Sequence, residues 1–214
     1  MSCRQCQGIE LEFNSDEVRS EIDAYHAEGP VQTTQLLIDA ITEQGVEGFN
    51  LLDIGGGVGA IQHAMLSAGA RTATAVEAST AFAKASEDEA LELGWSKQVE
   101  VRHGDFVELA EAIPPHDVVT LDRVICCYHD MKTLVQLSAA RATKRYGLVY
   151  PRDVWWNRIL SRIGNLFFWI TRNPFRTFIH SDPAVQHILG QLGLERVFHK
   201  KLLSWQVAVY ARVS

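Results

Sequence analysis

The stretch LLDIGGGVGAI, residues 51–61, decides how this chain reads. A short apolar run carries Asp53 near its end. Glycines follow at Gly55, Gly56, Gly57 and Gly59, and an amphipathic helical pattern begins near Val58. Glycine reaches backbone conformations that other residues avoid and leaves no side chain in the way. A strand, a tight turn and a helix N-terminus in this order let backbone N–H groups face a ligand closely. The pattern points to a nucleotide-like cofactor.

Outward from this turn, apolar runs and amphipathic stretches alternate. Strands are expected at 49–54, 72–77, 99–104, 117–122 and 146–150, with helices at 58–68, 81–93 and 131–143. The run VVTL within 117–122 hardly alternates, which suits a parallel strand covered on both faces. Strands alternating with helices imply a parallel sheet with right-handed crossovers. The end of the chain differs. After a helix at 183–191, strands at 194–201 and 205–212 are so close in sequence that they pair antiparallel. Upstream, Ser15 is placed to cap a helix bearing Val18, Ile22 and Tyr25, which Gly29-Pro30 ends. A second helix, 33–42, carries Leu36, Leu37, Ala40 and Ile41 on one face. The expected architecture is α/β: a Rossmann-like, seven-stranded, mostly parallel sheet with helices on both faces and a C-terminal antiparallel hairpin. Residues 1–48 read as N-terminal helices forming a lid. Residues 49–214 read as the main domain, with a helical insert at about 151–180.

The 214 residues are 47% hydrophobic and 21% charged, as in an ordinary globular protein. No apolar run is long enough for a simple membrane span, and the N-terminus lacks a secretory pattern, so the expected location is cytoplasmic. The net charge of −6 argues against general nucleic-acid binding. Its distribution is uneven. Residues 1–50 hold ten acids against Arg4 and Arg19, whereas residues 141–214 hold twelve of the twenty bases and only Asp153, Asp182 and Glu195 as acids. The basic third would attract an anionic substrate or membrane surface, or neutralise the acidic end within the fold. Cys3 and Cys6 form a lone C-x-x-C, short of the four ligands of a structural zinc site, so no metal is expected and a frayed, reduced terminus is the simpler reading.

The glycine turn alone leaves the cofactor open. Gly55, Gly57 and Ala60 also fit G-x-G-x-x-A, and Glu77 lies near the ribose-binding position of that motif, so a nicotinamide-dependent oxidoreductase is a rival. Three features tilt the balance away from that rival. Asp53 precedes the turn, where a carboxylate suits positive charge better than a pyrophosphate. His103-Gly104-Asp105-Phe106 supplies a carboxylate and a ring suited to an adenine amine and face. The closing hairpin replaces a second mononucleotide-binding half.

On LLDIGGGVGAI (51–61), TAVEAS (74–79), HGDF (103–106) and VVTLDRVICC (118–127), the chain resembles the class I S-adenosylmethionine-dependent methyltransferases. The resemblance implies a cofactor site in which Gly55, Gly57 and Gly59 pass the methionine moiety with Asp53 nearby. It implies that Glu77, followed by Ala78, binds the ribose hydroxyls and that Asp105 and Phe106 hold the adenine. Asp122 and Arg123 would line the opening toward the acceptor. Within that superfamily, LDRVICCYHDMKTLV (121–135) is similar to magnesium-protoporphyrin O-methyltransferases.

Methyl transfer from a sulfonium needs an aligned nucleophile, and an oxygen acceptor is helped by a base. His129, flanked by Tyr128 and Asp130, is the leading candidate, with His180 second. Tyr25 and His26 are candidates to close over the cofactor. The insert YPRDVWWNRILSRIGNLFFWITRNPFRTFIH (150–180) gathers Asn157, Arg158, Ser161, Arg162 and Asn165 on one helical face, and bulky apolar residues cover most of the rest. It reads as a core-packing helix, as a lid over a lipophilic or aromatic acceptor, or as a peripheral membrane dock through residues 152–176. The expected function is S-adenosylmethionine-dependent methyl transfer to a small lipophilic or aromatic acceptor. The oxidoreductase and a non-catalytic cofactor-binding or interaction protein are the alternatives, and the oligomeric state stays open.

Overall fold

The protein is described by a computed structural model covering residues 4–213. Three helices come first: α1 (Arg4–Glu12), α2 (Ser15–Glu28) and α3 (Gln32–Thr42). The alternating part follows as β1 (Asn50–Ile54), α4 (Ala60–Ser67), β2 (Thr72–Glu77), α5 (Thr80–Glu92), β3 (Val99–His103), the single-turn α6 (Phe106–Leu109), β4 (His116–Asp122), α7 (Met131–Ala140) and β5 (Ala142–Pro151). Then come α8 (Trp155–Ile170), α9 (Asp182–Gln191), β6 (Leu194–Lys201) and β7 (Trp205–Arg212). The seven strands form one sheet in the order β3-β2-β1-β4-β5-β7-β6. β1 to β5 are parallel, and β7 runs antiparallel to both β5 and β6. This is the expected architecture. β1 lies between β2 and β4, so successive crossovers leave it in opposite directions and a crevice opens at the carboxyl ends of the strands.

Side chains alternate across a strand, and the two cores follow that period. On β1, Leu51 packs with Leu37 and Ile41 of α3 and Ile61 and Met65 of α4, while Leu52 and Ile54 pack on the other side with Phe106, Leu134 and Val135. On β4, Val118 belongs to the first core and Val119 and Leu121 to the second. Asp53, Thr120 and Asp122 therefore point to the α3–α4 side. Gly147 on β5 lets α3 approach closely: an added Cβ would meet Leu37 Cδ1 at 2.8 Å. Helix α3 is thus part of the sheet's core, and the N-terminal cover narrows to α1 and α2.

Some local expectations are corrected. Asn14, not Ser15, caps α2, its side chain accepting from the N–H groups of Asp16 and Glu17. Helix α1 was not foreseen. It replaces the frayed terminus: Gln5 and Cys6 are buried in it, while Cys3 lies outside the described residues. Helix α7 ends at Ala140 because β5 begins at Ala142, four residues before its expected start. Among the described residues, no helix is long and apolar enough to cross a membrane.

Candidate active site

A cavity of about 960 Å³ opens at the carboxyl ends of β1, β2 and β4. Its walls come from the glycine turn, from Glu77 and Ala78 after β2, from Gly104, Asp105 and Phe106 after β3, and from Asp122 to Val124 after β4. Helices α1 and α2 and the 175–179 segment close over it, and one face of α8 completes it.

The glycines shape the turn by position. Gly55 has φ +65°, and an added Cβ would meet Val124 Cγ2 at 2.5 Å. Gly57 has φ +60°, and its Cβ would meet Glu21 Oε1 at 2.7 Å. Both positions combine a left-handed backbone with close neighbours, which only glycine accommodates without strain. The Gly57 N–H donates to Glu77 Oε1 at 2.7 Å. Burial starves the Glu77 carboxylate of water and pushes its pKa up to about 8, against the pull of that N–H. Glu21, over the same glycine, is also raised by desolvation, with the Arg123 charge opposing. Arg123 itself has φ +61°, a conformation uncommon outside glycine, and its Nε donates to Asp122 Oδ1 at 3.2 Å. Thr34 on α3 donates its hydroxyl to Asp122 Oδ2.

Charge discriminates between cofactors. Glu12, Glu17, Glu21, Glu77, Asp105 and Asp122 line the cavity, and Arg123 is the one Lys or Arg among the described lining residues. Such a wall favours a ligand carrying sulfonium and ammonium charges and disfavours a pyrophosphate. The residues present therefore fit S-adenosylmethionine.

Asp105 combines two roles. Its Oδ1 accepts from Val107 N at 2.9 Å and caps α6, while its Oδ2 accepts from Tyr128 Oη at 2.8 Å and faces Cys6 Sγ at 3.5 Å. Gly55, Gly57, Glu77, Ala78, Asp105, Phe106, Asp122, Arg123 and Tyr128 all line the cavity.

Other candidates lie elsewhere. Asp53 is fully buried beneath the turn, where Thr120 Oγ1 donates to it at 2.6 Å and Gln62 Nε2 at 3.2 Å. Its place on the Leu51 side of β1 turns it toward α4, and desolvation pushes its pKa up to about 6. It braces the turn and does not line the cavity. Gly59 is also outside the lining, at the N-terminus of α4. His129 and Asp130 are exposed and outside it. Asp130 caps α7 by accepting from Thr133 N, and the His129 ring lies 5.0 Å from that of Tyr128. His180 Nε2 contacts Ile125 O at 2.9 Å and is not in the lining either. Tyr25 lines the cavity, whereas His26 bonds outward to Glu89 at 2.7 Å.

The sequence reading missed Glu21, Thr34 and the inner face of α8. That face carries polar and small residues beside Leu160 and Phe168. Asn157 donates to Arg152 O at 2.8 Å and to Ser204 O at 2.7 Å, Ser161 to Thr177 O at 3.0 Å, and Asn165 to Thr177 O at 2.8 Å. Gly164 and Phe168 share this side and line the cavity. The spacing of Asn157, Ser161 and Asn165 was visible in the sequence, but not that it faces inward.

Residues 4–149, more than half of the chain, match the family model of the O-methyltransferase domain. The chain belongs to the O-methyltransferase domain family. Its cofactor is S-adenosylmethionine and its reaction class is methyl transfer, which removes the nicotinamide alternative. No curated protein matches the sequence. Among solved structures, magnesium protoporphyrin IX methyltransferase from Synechocystis PCC 6803, with bound S-adenosylhomocysteine, is similar at 20% identity and TM-score 0.73, over 96% of this chain and 98% of that one. An O-methyltransferase family 2 protein from Planctomyces limnophilus, in complex with apigenin, is 15% identical with TM-score 0.63, over 94% and 62% of the two chains. The [4+2]-cyclase SpnF is 13% identical with TM-score 0.70, over 97% and 96%. Members of one fold thus carry different chemistries, and the acceptor must be argued from the cavity.

Proposed function

We propose that this enzyme methylates an oxygen of a small lipophilic or aromatic acceptor. The observation that carries the reading is the two-sided character of one continuous cavity. Around the glycine turn it is acidic. Toward α1, α8 and the 175–179 segment it is lined by Ile9, Phe13, Leu160, Phe168, Phe175 and Phe178. Apolar walls with a few polar anchors are the usual form of a site for such molecules. Family membership supports oxygen as the nucleophile.

The bound cofactor supplies a methyl group on a sulfonium. Glu77 would accept hydrogen bonds from the ribose hydroxyls, Asp105 and Phe106 would hold the adenine, and the backbone at Gly55 and Gly57 with the carboxylate of Glu21 would border the methionine end. Asp122 and Arg123 border the passage to the acceptor. Asn157 and Ser161 are the polar anchors of the apolar side. Alignment of the acceptor oxygen and exclusion of water by α1 and α8 provide rate without an elaborate acid–base set. No base is assigned to His129 or Asp130, because neither lines the cavity.

The test is calorimetric titration with S-adenosylhomocysteine, with NADH as comparator, followed by methyl-transfer assays on phenols and on aliphatic alcohols. Binding of S-adenosylhomocysteine alone and turnover of apolar phenols is expected. Turnover confined to small hydrophilic amines would overturn the acceptor assignment.

A further inference from the structure

Helix α8 is built inside out for a surface helix. Asn157, Ser161 and Gly164, together with Leu160 and Phe168, face the cavity, while Ile159, Ile163, Leu166 and Ile170, at i, i+4, i+7 and i+11, form an outward stripe. These four are 45–64% exposed, and Trp155 and Trp169 near the helix ends are 70% and 68% exposed. A surface helix normally shows the reverse pattern. An apolar stripe with tryptophans at its margins is the form of a helix lying in a membrane interface.

Within the helix itself the charges are of one sign, and Arg158 at its first turn is paired with Asp153. No acid occurs between Asp153 and Asp182. Arg162 and Arg172 are exposed and take part in none of the ion pairs found among the described residues. Next to the start of α8, the turn between β6 and β7 presents Leu203, 78% exposed, behind the exposed Lys200 and Lys201. Asn157 and Arg152 tie this turn to α8 through Ser204 O, Leu202 O and Leu203 O. An apolar stripe flanked by the unpaired Arg162 and Arg172, on a chain of net charge −6, is complementary to anionic lipid. A two-fold contact between copies would bring Arg162 and Arg172 toward like charges with no acid in the helix to offset them.

We propose that α8 and the 202–204 turn dock this enzyme on the surface of an anionic lipid bilayer. Because the opposite face of the same helix lines the cavity, docking sets the apolar chamber one helix away from the acyl region. This holds whichever acceptor is used.

Flotation of the full chain with phosphatidylglycerol–phosphatidylcholine vesicles, and with phosphatidylcholine vesicles alone, tests it. Binding to the anionic vesicles is expected, weakened about thirtyfold by the pair Arg162→Ala and Arg172→Ala. The pair Ile163→Glu and Ile170→Glu should abolish it. Both variants alter exposed side chains and should still bind S-adenosylhomocysteine, which shows that they are folded. Absence of vesicle binding by the parent overturns the proposal, and so does vesicle binding that survives the glutamates. A dimer seen by light scattering that the glutamates dissolve, without vesicle binding, would assign the face to a second copy instead.

Discussion

Glu77 joins the fold to the ligand through its proton. Its carboxyl is pushed up to about 8 from an ordinary 4.5 by burial, so the native state holds the proton more tightly than the unfolded chain. Protonation of Glu77 therefore stabilises the fold fully below pH 4.5, and that contribution is lost as the pH rises to about 8. Asp53, pushed up to about 6, acts in the same direction over a narrower window. The ribose hydroxyls are donors and require the carboxylate. Affinity for S-adenosylhomocysteine should therefore rise with pH toward 8, with release of a proton. Calorimetry in buffers of different ionisation heat reads that release directly. Glu77→Gln should remove it and weaken binding by about 1–3 kcal/mol, the scale of a lost charge-assisted hydrogen bond. An affinity independent of pH in the parent would mean that Glu77 is not the ribose partner. At this scale the sequence was legible where a motif fixes the backbone, as at Gly55, Gly57 and Asp105. It misled at Asp53, whose side of the strand is settled by parity: Leu51 and Asp53 share a face, so the carboxylate turns to Gln62 beneath the turn.

Helix α8 shows what periodicity does and does not carry. The polar stripe was evident in the sequence, yet its partners, the carbonyls of Thr177 and Ser204, lie in other segments that only the fold brings near. A stripe whose partners are backbone groups of distant loops looks the same in sequence as one facing water. Gly164 sits on the cavity face, and nothing lies within 4 Å of an added Cβ. Gly164→Ala should then raise stability by about 1 kcal/mol, because glycine is a poor helix former and the methyl meets no clash. Thermal melting measures this. Gly164→Trp should fill the acceptor side, leave S-adenosylhomocysteine affinity unchanged within error and lower turnover of an apolar phenol at least about tenfold, the scale of 1.4 kcal/mol. Loss of cofactor affinity in this variant would place α8 against the cofactor rather than the acceptor.

Across the whole molecule, the sheet was readable from local patterns because each strand and crossover helix is contiguous in sequence. The closure of the site was not, because α1 acts through contacts spanning most of the chain. Gln5 Nε2 donates to Cys127 O at 2.6 Å and to Arg176 O at 3.1 Å, and Glu12 Oε2 accepts from Asn173 Nδ2 at 3.1 Å. Gly8 lets α1 press against the backbone at Phe175, where a Cβ would collide. Nine residues with little apolar content give no sign of this in isolation. The helix links the loop after β4 to the segment after α8, two sides of one cavity, while the two sheet cores contain no residue from it. Removing residues 1–13 should therefore leave the sheet folded, with the far-ultraviolet signal and a cooperative melt retained. The Asp105 side of the cavity would open to water, so S-adenosylhomocysteine affinity should fall and phenol turnover should fall further, because the acceptor side loses Ile9 and Phe13 as well. In the intact chain the same linkage should appear as slower amide exchange in α1 when S-adenosylhomocysteine is bound. A truncated enzyme with the parent's affinity and turnover would show that α1 covers the cavity without closing it, and would shift closure to α2 and α8.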